Sequence, residues 1–358
     1  MITPNNSSNQ IYKLMKKRIL HLGKAMSAAL FVLLLSVAGM KNAFAQIQVA
    51  TLQHNDSISA FYGTSAFVEA HDAAETGDII TLSSGTFVPT TITKAITLRG
   101  AGCAVDTAAH TNPTIFGGEI NLNVADTANF LTIEGILFSN RVDYQTLYNP
   151  KFNRCNFTNI DYYGSNYYMH NAEFVNCIID KFHFNSAINT VLINSVVWQP
   201  SNNSNGNTVV LYNSVLRKYL NNYNDGLSGF NSIIIRDNSG SLSSYCSFIN
   251  CIGIDTYSSS NHNAFGNAYT SGCATYTSYD AVFESFTGTF SFDELFILKD
   301  EIASGFLGGD GTQVGIYGGV MPYTNTPSYM LRTNISVPNH SNLDGTLNVE
   351  IEIIDEGE

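Results

Sequence analysis

Seven residues of this chain have side chains suited to binding an anionic or hydroxylated ligand, and their spacing sets several of them one repeat apart. Lys181, Lys218 and Arg236 carry positive charge, and Asn159 and Gln199 fall at the same step of the pattern. Trp198, His183, Arg217 and Tyr219 flank that series. Cations attract carboxylated or sulfated sugars, and Trp or Tyr rings offer apolar faces on which a sugar ring can lie. A second series, Asn176, Asn194, Asn213, Asn231 and Asn250, recurs at nearly the same interval. Asn tolerates a left-handed backbone and bonds its own turn, so this series reads as a column of corners, with amide ladders running along it.

Both series come from one repeat. Phe174-Val-Asn-Cys-Ile-Ile179, Leu192-Ile-Asn-Ser-Val-Val197, Leu211-Tyr-Asn-Ser-Val-Leu216, Phe230-Asn-Ser-Ile-Ile234 and Phe248-Ile-Asn-Cys-Ile252 follow one another about every 19 residues. A period this short is too small for a pair of packed helices, and it lacks the Leu lattice of leucine-rich repeats. It fits a coil of short strands whose apolar face is buried only by stacking on its neighbours. With the small residue after Asn as origin, weaker copies extend the series through Gly100, Gly118, Gly135, Cys155, Cys177, Ser195, Ser214, Ser232, Cys251 and Cys273. Two positions on stand Ile120, Leu137, Phe157, Ile179, Val197, Leu216 and Ile234, so origin and large apolar residue share the inward face of a strand. The expected fold is an all-β, right-handed parallel β-helix of about ten coils. Four positions past the origin, the Asn159, Lys181, Gln199, Lys218 and Arg236 series becomes an outward polar strip.

The chain divides into four expected parts. Residues 1–45 read as a secretory signal: Lys13, Lys16, Lys17 and Arg18 precede the apolar run Ala28 to Ala38, and Ala43-Phe-Ala45 offers a small-x-small cleavage site. Met15 is the more usual start for such a signal. Residues 46–78 read as an N-terminal cap whose helix, started by Thr64 or Ser65, turns Phe67, Ala70 and Ala74 inward. Residues 79–327 hold the coils and a closing Gly-rich segment, and 328–358 an acidic β-hairpin tail around Asn342-Leu-Asp-Gly345. The expectation is therefore an exported protein of the periplasm, outer surface or medium, with no integral membrane segment after cleavage.

Charge narrows the partners. Cleavage after residue 45 removes six Lys or Arg and no acid, taking the formal charge from -12 to -18. So acidic a chain is a poor ligand for nucleic acid. Six cysteines in an exported chain invite a disulfide reading. Yet Cys155, Cys177 and Cys251 occupy the slot that Ser and Gly fill in other coils, which favours buried thiols used as small residues. No Cys/His spacing suggests zinc, and Gly308 to Gly319 lacks the Gly-Lys-Ser/Thr of a phosphate loop, so no metal and no cofactor is expected.

The lid helix with Gly77-Asp-Ile-Ile-Thr-Leu82 and Gly85-Thr-Phe87, the Asn-Cys and Asn-Ser coils, and Asp310-Gly-Thr-Gln-Val-Gly-Ile-Tyr-Gly318 together resemble the pectin-lyase-like superfamily of right-handed parallel β-helix proteins. Within it they are most similar to exported Bacteroidetes members. The resemblance implies the fold over residues 60–330, and it admits lyases, hydrolases and adhesins alike. The hydrolase pattern of Asp-Asp with Gly-His-Gly is missing here, as are the lyase patterns Trp-x-Asp-His and Arg-x-Pro-x-x-Arg. The resulting expectation is a non-catalytic envelope or surface protein that contacts glycans along the strip. A polysaccharide lyase or glycoside hydrolase with a divergent site is the alternative, and a purely structural or adhesive surface protein the third. The sequence sets no oligomeric state.

Overall fold

The computed structural model describes residues 47–106, 111–128, 130–162, 167–201, 208–218, 226–239, 241–257, 262–286, 288–326, 332–336 and 350–354. The expected signal segment, Tyr219, the Asn342–Gly345 turn and the last four residues lie outside them. Within them the repeat becomes a parallel β-solenoid. One strand per coil builds a first sheet, running Ile79–Leu82, Thr97–Arg99, Thr132–Glu134, Lys151–Asn153, Glu173–Val175, Thr190–Ile193, Val209–Tyr212, Leu227–Phe230, Ser247–Ile249 and Tyr269–Ser271. Ten parallel strands make nine turns. A second sheet receives the other strand of each coil, from Gly85–Phe87 to Ala274–Tyr276. Among the described residues a third strand per coil pairs in the middle, at Leu147–Tyr148, Met169–His170 and Ala187–Ile188.

Asn turns the chain from the first sheet to the second. Asn176, Asn194, Asn213, Asn231 and Asn250 all have φ between 47° and 54°, the left-handed conformation that Asn tolerates better than other side-chain-bearing residues. The next residue then points inward. Its side chain links coils: the backbone N–H of Cys177 donates to Ser195 Oγ at 3.0 Å, that of Ser195 to Ser214 Oγ and that of Ser214 to Ser232 Oγ at 3.1 Å. The series continues from Ser232 to Cys251 Sγ and from Cys251 to Cys273 Sγ, both at 3.4 Å. Ser and Cys alternate freely in this row because each offers a small acceptor to a buried N–H that has no strand partner. All six cysteines are unbridged. Burial raises the pKa of Cys177 and Cys251 well above that of a free thiol, so both stay protonated.

The core is a double row of large side chains. Phe116, Phe138, Phe157, Ile179, Val197, Leu216 and Ile234 line up on the second sheet against Ile133, Phe152, Phe174, Leu192, Leu211 and Phe248 on the first. Rings one coil apart stack, with centroids 4.7 Å apart for Phe138 and Phe157 and 4.8 Å for Phe152 and Phe174. The early coils depart from the expected spacing. Thr97 pairs directly with Thr132, so Gly100 to Gly135 is a single long coil and Gly118 belongs to a loop outside the row. Gly135, at φ 69°, stands at the corner rather than at the inward slot, which puts Phe138 inside in place of Leu137.

At the front, Val49–His54 pairs antiparallel with both Ser57–Tyr62 and Ile79–Leu82. Against them lies the helix Ala66–Ala73, whose Phe67 is fully buried on Phe116 at 4.8 Å. Ser65 precedes that helix without a side-chain cap bond. The C-terminal segment takes a different path from the expected end closure. Val282, Phe283, Phe286, Phe296, Leu298, Ile302, Val314 and Ile316 lie along the outer face of the second sheet. They cover the outward row Ile178, Val196, Val215, Ile233 and Ile252, each at most 1% exposed. Arg332–Ser336 and Glu350–Ile354 form a separate antiparallel pair. Among the described residues, no helix is long and apolar enough to cross a membrane.

Candidate functional site

The outward polar row exists, because strands of the second sheet continue past their inward residue. Register sets Arg141 beside Asn159, Asn159 beside Lys181, Lys181 beside Gln199, Lys218 beside Arg236 and Arg236 beside Asp255. It is not a basic strip. Gln199 Nε2 bonds Asp180 at 2.9 Å, Arg236 Nη1 bonds the wholly buried Asp255 at 2.8 Å, and Arg217 Nε bonds Asp237 at 2.5 Å. Carboxylates accompany the cations Arg217 and Arg236, and among the described side chains of the row Lys181 is an exposed cation.

Trp198 and Arg217 serve the C-terminal segment instead of a ligand. Trp198 is 4% exposed, with Phe290 stacked at 5.7 Å and Phe286 edge-on at 5.5 Å. The Arg217 guanidinium covers its ring at 4.4 Å. A sugar cannot reach that indole while the segment is in place. Arg236, with its side chain 16% exposed, lies 5.4 Å from the Tyr257 ring. Only the backbone of Lys218 is described.

The Asn column likewise has another use than an amide ladder. Asn194 Nδ2 donates to the carbonyls of Ile316 at 2.8 Å and Gly318 at 2.7 Å, Asn176 Nδ2 to that of Pro322 at 3.5 Å, and the Gly309 N–H donates to Asn231 Oδ1 at 2.9 Å. The Gly-rich segment is thus a strap buttoned to the corners. A side chain would not fit there: a Cβ on Gly309 would meet Asn250 Nδ2 at 2.7 Å, and one on Gly318 would meet Asn213 Nδ2 at 2.6 Å. A true amide ladder stands at a different corner, where Asn189 bonds Asn171 and Asn171 bonds Asn149, at 3.3 and 3.0 Å.

One constellation escaped the sequence reading. Asp143 and Asp161 are neighbours on adjacent coils, with Arg141 and His183 beside them. Arg141 Nε lies 2.5 Å from Asp143 and 3.7 Å from Asp161, and His183 Nδ1 lies 3.8 Å from Asp161. The Tyr162 ring meets His183 edge-on at 6.0 Å. Burial pushes the Asp143 carboxyl above the usual carboxylate range; the bond and charge of Arg141 pull it back, and Asp161 and Glu119 push it up again. At Arg141 burial lowers the pKa, but the bond and charge of Asp143, with the charges of Asp161 and Glu119, together outweigh that and leave it raised. Asp143 is the sheltered partner, its side chain 7% exposed against 38% for Arg141, so desolvation dominates at the carboxyl. The signal in the sequence was obscured by one extra residue between Phe138 and Arg141, which shifts Asp143 out of the step that Asp161 and His183 share.

Among the described residues no group of three or more His, Cys, Asp or Glu is placed to hold a metal ion. Two depressions lie elsewhere, near the N-terminal strands. One, of about 450 Å³, is lined by His54, Asn55, Glu75 and Asp78, with His54 Nδ1 2.8 Å from Asp78. The other, of about 410 Å³, is lined by Gln48, Thr64, Val88 and Pro89.

Fold and lateral row together define a parallel β-solenoid with a mixed-charge outer edge. Comparison with protein-family models, curated proteins and solved structures finds no match to this chain.

Proposed function

We propose that this protein is an exported β-helix of the pectin-lyase-like kind that contacts glycans along its lateral row, without cleaving them, in the envelope or at the cell surface. The observation that carries the reading is the cluster of Arg141, Asp161, Lys181 and His183 on three adjacent coils, partly or fully open to solvent. Carboxylate, guanidinium, ammonium and imidazole groups side by side suit a ligand that both donates and accepts hydrogen bonds along its length, as a sugar chain does. Tyr162 supplies an aromatic surface beside them. Export rests on the leader pattern of residues 1–45. The kinship rests on the motifs quoted above.

Retention on immobilised acidic and neutral polysaccharides tests this. Lys181→Ala with Asp161→Ala should weaken retention about tenfold or more, since each removes a charge-assisted bond. Unchanged retention in that double variant would remove the lateral row from the account. Cleavage is a second reading, favoured by two carboxylates, Asp143 and Asp161, on neighbouring coils with Asp143 held above its ordinary range. It predicts new reducing ends or unsaturated-sugar absorbance from the same polysaccharides, lost in Asp161→Asn; the non-catalytic reading predicts a flat signal.

A further inference from the structure

The two sheets differ in how their outer faces are finished. On the second sheet, the outward row Ile178, Val196, Val215, Ile233 and Ile252 is sealed by the C-terminal segment. On the first sheet, register builds one apolar outward line, Ile193, Tyr212, Phe230 and Ile249, with Val191 and Val210 beside its first part and Ser228 and Ser247 beside the rest. This face remains partly open, with Tyr212 41% exposed and its ring stacked on Phe230 at 5.2 Å. A flat β surface of Val, Ile, Tyr and Phe in water gains stability from any partner that covers it.

The same chain carries a matching piece. In the pair Arg332–Ser336 with Glu350–Ile354, Ile335 stands opposite Ile351 and Thr333 opposite Ile353, so these positions share one face. Arg332, Asn334, Ser336, Glu350, Glu352 and Ile354 share the other. An isolated two-stranded hairpin is marginal in water and needs a surface to rest on. The strap delivers it to the right place. It runs back along the corners from Asn231 to Asn176, whose side chain holds Pro322, and Asn176 directly follows Val175, the buried neighbour of Ile193 at the near end of the line. Ten residue steps lead from Pro322 to Arg332. They span up to about 34 Å when extended, whereas the line from Val175 to Phe230 covers three coil steps, about 14 Å.

We propose that the C-terminal hairpin packs its Ile335, Ile351 and Ile353 face on the Ile193, Tyr212 and Phe230 line of its own chain, leaving Glu350 and Glu352 in solvent. The strap then closes one sheet and the hairpin the other.

Hydrogen exchange on the full chain, read by mass spectrometry, tests this. Amides of 332–336 and 350–354 should exchange at least about tenfold slower than an unfolded peptide, independent of protein concentration. Tyr212→Asp and, separately, Ile351→Asp should return them to within about twofold of the unfolded rate while the strand Val196–Pro200 stays protected. Unprotected hairpin amides in the parent chain would overturn the proposal, as would protection that survives Tyr212→Asp. Protection that appears only as concentration rises would assign the face to a second copy and overturn it equally.

Discussion

Asn194 combines two demands that no other side chain meets together. Its backbone holds φ at 47°, and its side-chain amide donates to two strap carbonyls, those of Ile316 and Gly318. Substitutions separate these demands. Asn194→Gly keeps the left-handed backbone and removes both bonds, so it should cost about 1–3 kcal/mol and loosen the strap. Asn194→Ala adds the left-handed penalty of a Cβ and should cost about 1–2 kcal/mol more. Denaturant unfolding measures both, and limited proteolysis within 308–322 should quicken in each. An Asn194→Gly variant as stable as its parent would mean that corner geometry alone explains the column. The sequence made the left-handed corner legible, because Asn immediately before a small inward residue has a local reason. It left the bonding partner hidden, since the partner lies more than 120 residues away and contributes only backbone carbonyls.

At the scale of the coil, the recurring copies were readable because each inward slot repeats one steric requirement. Where the coil length changes, the pattern breaks for a physical reason. Gly253 occupies the slot held by Ile234, Leu216 and Val197 in preceding coils, and a Cβ there would meet Phe265 Cε2 at 2.7 Å and Ala264 at 2.9 Å. The connection that follows, in the longer coil, supplies its own Phe265 to fill the core and so displaces the strand's side chain. Gly253→Ala should therefore cost about 1–3 kcal/mol through overpacking. In a Phe265→Ala background the same change should cost little, which a double-mutant cycle by chemical denaturation reads as coupling. Additive costs would show that Phe265 and Gly253 do not share that space. The early glycines misled for a similar reason: Gly100 and Gly135 mark corners, not inward slots, and Gly118 shares their type without their place. Asp143 shows the same limit at the candidate site, where one inserted residue in the strand Ile136–Tyr144 removes it from the visible period.

Across the whole solenoid, sequence distance converts into distance along the stack at one strand spacing per coil, whatever the length of the intervening loops. That conversion brings Asp161 to Asp143 and His183, lines up the Ser and Cys acceptors, and sets the apolar outer face of the second sheet that the C-terminal segment covers. Composition could reveal the alternation of strand and turn but not which outer face a distant segment covers. Trp198 was therefore read as open to solvent when it lies beneath Phe286 and Phe290. The most direct test uses pairs of nitroxide labels on one outward row of the first sheet, with Cys273 replaced by Ser so that labelling is confined to the introduced sites. Register runs from Lys151 through Glu173, Val191, Val210, Ser228 and Ser247 to Tyr269, so labels at Lys151 and at Ser228, Ser247 or Tyr269 are four, five and six coils apart. Pulsed electron-spin measurements should give separations that rise in equal steps, near about 19, 24 and 29 Å. Separations that do not increase with coil number, or that follow residue number instead, would contradict the stacked register on which the site and the covered face of the second sheet depend.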